Sequence, residues 1–142
     1  MSLISVEELE RLMRAKLPFA RISKFRAETL ESGRAIVRAP YNNEFLRPGG
    51  TISGPVMMGL ADFAMYAAVL TRVGIVELAL TTNLNINFLH RPEPGDLLAK
   101  ARLIKLGKHI AVGEVEVYVD GHEEMVAYVT STYSLPPALS GR

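Results

Sequence analysis

Apolar residues recur at helical spacing near the N-terminus, run almost unbroken through the middle of the chain, and alternate with polar ones after Gly74. In "SVEELERLMRAKL" (5–17), Val6, Leu9, Leu12, Met13 and Leu17 share one helical face, with charges elsewhere. Ser5 and Glu8 have capping-box spacing, and Pro18 is expected to close the element. "RISKFRAETLE" and "GRAIVRAP" flank Ser32-Gly33 and predict a hairpin. A loop rich in Asn, Pro and Gly covers 41–52. Residues 55–72 then predict one long, nearly uncharged helix, capped by Ser53 or Gly54, with Pro55 in its first turn, where a missing N–H is harmless. A helix apolar all round is expected to be covered all round.

Beyond Gly74 the period becomes two. In "LTTNLNINF", Leu80, Leu84, Ile86 and Phe88 are expected to point one way, and Thr81, Asn83, Asn85 and Asn87 the other. That polar stripe reads as a wet face or as a surface between dimers. "DLLAKARLIKLG", "HIAVGEVEVYV" and "EMVAYVTSTYSL" are three further strands, with turns at Gly107-Lys108 and Asp120-Gly121. The order helix, two strands, buried helix, four antiparallel strands predicts an α+β hotdog arrangement, a curved antiparallel sheet wrapped around one central helix. The whole chain, 1–142, reads as a single domain with an N-terminal helix over 5–17, a central helix over 55–72 and a loose tail over 136–142.

Composition narrows the function. A hydrophobic content of 49% in 142 residues is ample for one core. Sixteen basic and fifteen acidic residues leave a net charge of +1, so nothing favours nucleic acid. The chain has no cysteine, which removes disulfides, thiol nucleophiles and zinc–thiolate sites and fits a reducing, cytoplasmic setting. "MSLISVEELERLMRAKLP" lacks the basic and apolar regions of a secretory signal. The central apolar stretch is long enough to span a bilayer, but Asp62 near its middle would cost about 2.5–3.5 kcal/mol on insertion scales. A buried helix is expected instead, with no membrane partner.

Asp62 is the one charged side chain between Arg47 and Arg72. Its helical neighbours Met58, Gly59, Met65 and Tyr66 offer no basic partner. Such a carboxylate is kept when it meets a partner elsewhere, meets water, or performs chemistry; the plainer reading is a buried Asp bonded to backbone or to a tyrosine. The helix start, "GGTISGP", supplies a Gly-rich approach and N–H groups at the positive end of the dipole, suited to a developing oxyanion. Pro55 has no N–H, so Gly54 is the donor. Gly54 and Asp62 are eight residues apart, about 12 Å along a helix axis. They cannot both reach one carbonyl, and a two-fold dimer with neighbouring central helices is required to bring them together.

"TISGPVMMGLADFAMYAAV", "LTTNLNINFLHRPEPGD", "LIKLGKHIAVGEVEVYVDG" and "MVAYVTSTYSL" together resemble the hotdog-fold acyl-CoA thioesterases of the phenylacetic-acid-degradation type, over residues 20–135. That family has His-Gly-Gly at the helix start and an acidic residue eight positions after the first Gly. Gly54 and Asp62 match; Ser53 stands for the His and Pro55 for the second Gly. The resemblance implies that Asp62 activates water or attacks the thioester, while the Gly54 N–H of the opposite subunit polarises the carbonyl. The family's loop Asn falls on Arg47, so its role is unfilled or has moved to Asn42 or Asn43. Arg47 in that place alters substrate choice or pairs with Asp62. A water-orienting hydroxyl is implied at Thr81, with Thr82 beside it. Arg91, Lys108 and His109 are candidates for the coenzyme A phosphates. The resemblance also implies a tetramer.

His90, His109 and His122 have no metal-ligand spacing, so no metal is expected. Ser53 is in no nucleophile elbow and reads as a cap. Met57, Met58, Phe63, Met65 and Tyr66 are core, and Met58 and Tyr66 among them are taken to line an acyl pocket. The reading that follows is a homodimeric hydrolase of aryl- or medium-chain acyl-CoA, with no cofactor beyond the coenzyme A of its substrate. The alternatives are a non-catalytic acyl-CoA sensor, which the altered SGP turn keeps open, and a hydratase, which would want an Asp–His pair although no His precedes residue 90.

Overall fold

A computed structural model describes residues 1–137. In chain order the elements are α1 (Val6–Lys16), α2 (Pro18–Ile22), β1 (Arg26–Glu31), β2 (Arg34–Ala39), a 3-10 turn (Asn43–Phe45), β3 (Leu46–Arg47), β4 (Thr51–Ile52), α3 (Gly54–Val73), β5 (Leu80–Phe88), β6 (Leu97–Leu106), β7 (Ile110–Val119) and β8 (Met125–Ser134). Of the expected tail, residues 138–142 lie outside the described residues.

The capping box forms as the spacing predicts. Ser5 Oγ accepts from the Glu8 N–H at 3.1 Å, and Glu8 Oε1 accepts from the Ser5 N–H at 2.9 Å. α1 ends at Lys16 with Leu17 as its cap, so the element closes before Pro18 as expected, but a second, unexpected helix follows at once. The fixed φ of Pro18 suits the first position of a helix as well as it disrupts the interior, and here it starts α2. The expected loop over 41–52 holds the 3-10 turn and the short β3–β4 pair, turned by Gly49 and Gly50 at φ +97° and +75°.

Six antiparallel strands form one sheet in the order β1-β2-β6-β7-β8-β5, the hotdog arrangement, and α3 lies across it. Gly113 on β7 permits the close approach, since a Cβ there would sit 2.7 Å from Met65 Sδ. From Phe63 to Thr71 every residue of α3 is buried, and each Leu or Val so covered contributes about 1.5–3 kcal/mol. Thr71 is the buried polar exception. Its Oγ1 donates to the Ala68 carbonyl at 2.6 Å and accepts from the Gly33 N–H at 2.8 Å, fastening the β1–β2 turn to the helix.

The expected covering is incomplete over the first turns of α3. Pro55 and Met58 are exposed and Asp62 is half-buried, on the side where the sheet ends at β5 and no described strand follows. α3 is long and apolar enough to cross a bilayer, but 67% of its most apolar window is buried inside this domain, so it is the core helix.

Candidate active site

Helical phase places Asp62 on the face of α3 that looks toward β5 and β8. Thr81 donates from Oγ1 to Asp62 Oδ1 at 2.6 Å. The Tyr133 hydroxyl donates to the same Oδ1 at 3.0 Å and lies 3.1 Å from the Asp62 backbone carbonyl. Both hydroxyls thus converge on one carboxylate oxygen. Among the described residues no donor reaches Oδ2.

A β-bulge sets this convergence. Thr81 pairs with Tyr133, but the next matched pair is Asn83 with Thr132, so Thr82 is extra. The bulge turns Thr81 onto the face shared by Leu84 and Ile86, whose partners Ser131 and Val129 are buried. This corrects the simple alternation, which puts Thr81 on the opposite face. Leu80 is turned outward by the same bulge and is 63% exposed. Thr82 points elsewhere, its Oγ1 donating to the Thr132 carbonyl at 3.2 Å.

Tyr133 is deeply buried on β8, on the side of Ala127, Val129 and Ser131. Burial, and then the nearby Asp62 charge, push its hydroxyl far above the ordinary tyrosine range, so it remains a donor at any physiological pH. Tyr66, one turn beyond Asp62, packs its ring 6.2 Å from that of Tyr133. Its hydroxyl is buried with no hydrogen-bond partner among the described residues, and burial followed by the Glu77 charge raises its pKa.

The helix start forms a separate part of the site. Ser53 occupies the cap position, yet its side chain makes no capping bond; its carbonyl accepts from Val56 and Met57 instead. Pro55 has no N–H, and the Gly54 N–H has no acceptor among the described residues. A Cβ at Gly54 would lie 3.1 Å from Phe88 Cζ, so glycine admits this ring. Gly54, Met57, Phe88, Arg47 and Arg91 line a cavity of about 680 Å³. Thr51 Oγ1 donates to the Pro92 carbonyl at 2.8 Å and ties its two walls together.

The other anticipated residues are dispersed. Within one chain and among the described residues Arg47 forms no ion pair with Asp62, whose partners are hydroxyls, and it lines the helix-start cavity instead. Asn43 lines a different surface pocket with Lys24 and Tyr41, and Asn42 Oδ1 accepts from the Glu44 N–H as a local cap. Lys108 borders an apolar cavity of about 620 Å³ with Val73, Ile75 and Leu106, at the far end of α3. His109 is exposed beside it, its carbonyl accepting from the Leu135 N–H. Met58 is 41% exposed, close in helical phase to Asp62.

Two residues escaped the sequence reading. Tyr133 shares its strand parity with Ala127, Val129 and Ser131, a signal that places it facing the helix without saying how deep. Phe19, on the unexpected α2, seats its ring on Gly59, where a Cβ would be 2.7 Å from Cε2.

Comparison with known proteins identifies the family and the fold. The model of the thioesterase superfamily matches residues 49–126. A proposed esterase of Saccharolobus solfataricus is 30% identical over 92% of this chain and 85% of its own length. A second from the same organism is 34% identical over 61% of each chain. The crystal structure of a proposed thioesterase from Silicibacter sp. TM1040 superposes with a TM-score of 0.87 at 39% identity, covering 96% of this chain and 95% of that one. A mutant of the phenylacetic acid degradation protein PaaI of Thermus thermophilus gives a TM-score of 0.74 at 26% identity, over 84% and 99% of the two chains.

Proposed function

The chain belongs to the thioesterase superfamily, and on that premise we propose that it hydrolyses an aryl- or medium-chain acyl-CoA to the free acid and coenzyme A. The observation that carries this reading is the half-buried Asp62 carboxylate, anchored through Oδ1 and with no donor to Oδ2 among the described residues. The likeness to the PaaI protein favours a phenylacetic-acid-degradation type of acyl group.

Asp62 acts as general base. A water donates one hydrogen to Oδ2 and the other to Thr81 Oγ1, whose own proton is already given to Oδ1. Its oxygen attacks the thioester carbonyl as Oδ2 takes the proton. The tetrahedral oxyanion is met by the Gly54 N–H, and collapse breaks the C–S bond, the departing thiolate recovering the proton from Asp62. Direct attack by Oδ2 would use the same geometry.

Within one chain Gly54 and Asp62 stand about 12 Å apart along α3, so the oxyanion donor comes from a second copy. The open edge strand β5, with exposed Phe88 and Leu80 and the exposed Met58 of α3 nearby, supplies a surface for a two-fold homodimer. Arg47 and Arg91 at the helix-start cavity and Lys108 at the β6–β7 turn are the cations proposed for coenzyme A phosphates, with His109 beside Lys108 as a further polar contact. The tetramer and the cytoplasmic location belong to the same proposal.

The test is thiol release from a panel of aryl- and alkyl-acyl-CoAs by wild type and Asp62→Asn. Turnover by wild type and a loss of at least about 100-fold in the variant, a size typical of general-base removal, support the reading. Equal rates would take Asp62 out of the chemistry. Binding of the CoA esters with no thiol release by wild type would replace the enzyme with a sensor.

A further inference from the structure

We propose that Tyr133 is a positioning residue that, together with Thr81, selects Oδ2 of Asp62 as the reacting oxygen. The inference rests on the reading of Asp62 as the catalytic carboxylate. It concerns a residue on the last strand, outside the helix and the strand start that carry the other assigned roles.

Geometry supports it in three steps. Tyr133 and Thr81 are register partners across β8 and β5, so their side chains leave the sheet side by side on the helix face. Both end on Oδ1, at 3.0 and 2.6 Å. The same Tyr133 hydroxyl also lies 3.1 Å from the Asp62 carbonyl, so its single proton is shared between the carboxylate and the helix backbone, two acceptors of the same residue. A carboxylate held at one oxygen by two donors loses its freedom to rotate and exchange its two oxygens. The opposite oxygen keeps one orientation with its lone pairs uncommitted.

Burial gives the arrangement its persistence. Tyr133 is 2% exposed, its ring is wedged beside Tyr66, and its hydroxyl stays protonated. Thr81 is exposed and on an edge strand, so its hydroxyl alone would be a looser support. The tyrosine is the rigid member of the pair.

The test compares Tyr133→Phe, Thr81→Val and the double variant. Tyr133→Phe keeps the ring and removes only the donor. It is expected to lower kcat about tenfold, the effect of one hydrogen bond to a charged group, with KM changed less than about twofold. The double variant is expected to lose more than the product of the single losses, because the second donor still restrains the carboxylate when the first is removed. In parallel, the 13C signal of the Asp62 side-chain carboxyl, assigned with Asp62→Asn, is expected to shift and broaden in Tyr133→Phe. An unchanged kcat, or a fall traced entirely to unfolding by melting curves, would overturn the proposal. If wild type hydrolyses no thioester, the functional reading fails by itself, and an unmoved Asp62 carboxyl signal in Tyr133→Phe would then overturn the positioning role separately.

Discussion

Thr81 and Asp62 are nineteen residues apart in sequence and 2.6 Å apart in space. The contact exists because a β-bulge at Thr82 turns the start of β5 toward the helix. Thr81→Val keeps the β-branched shape and removes the hydroxyl. It is expected to lower kcat about tenfold or more, given a charge-assisted hydrogen bond and a lost water acceptor. Thr81→Ser retains both functions and is expected to stay within about threefold of wild type, since it loses only a methyl group at an exposed site. Steady-state kinetics of the two variants check this.

Thr71 joins the core helix to the β1–β2 turn. Thr71→Val leaves the buried Gly33 N–H without its acceptor, a loss of about 1–3 kcal/mol. Urea unfolding is expected to show a lower midpoint with an unchanged slope. Activity measured well below the melting temperature should be retained, because Thr71 lies at the far end of α3 from Gly54.

Glu114 on β7 accepts hydrogen bonds from the Tyr128 hydroxyl and from Arg102. The Tyr128 bond, and then Arg102, hold its carboxyl below the usual value of 4.5. A lowered folded-state pKa means that the unfolded chain binds the proton first. The stabilisation is therefore fully present above pH 4.5 and disappears as pH falls through the lower folded value. Glu114→Gln is expected to reduce stability at neutral pH, and its difference from wild type is expected to shrink as pH falls below 4.5 through the lower folded value. A set of denaturation curves from pH 2 to 7 would show the two lines drawing together.

The sequence revealed those features that depend on local chemistry. Ser5 and Glu8 announce the first helix, and the uncharged run from Pro55 announces the central one. The odd carboxylate at Asp62 and the glycine at 54 were visible for the same reason. Pro18 closes α1 as expected, while α2 stayed hidden because a proline can also begin a helix and the sequence carries both possibilities. The facing of Thr81 was hidden because a bulge is decided by the pairing of β5 with β8, and no residue near 81 signals it. Tyr133 was hidden because the strand pattern tells direction, whereas its reach to Asp62 depends on how closely α3 approaches the sheet. The open first turns of α3 lie on the side where the sheet ends at β5, which only the topology discloses.

The central claim is one active site assembled from Asp62 of one protomer and Gly54 of its partner. Asp62→Asn removes the base, and Gly54→Pro removes the N–H with a φ suited to a first helical position; because its Cβ also crowds Phe88, Gly54→Ala, which adds the Cβ but keeps the N–H, is the control. Co-expression with two different tags and tandem purification yields the mixed dimer. Each parent is expected to be nearly inactive, while the mixed dimer, which regains one intact site of two, is expected to hydrolyse acyl-CoA at about half the wild-type rate. A mixed dimer no more active than its parents, with both chains shown to be folded and paired, would contradict the shared site.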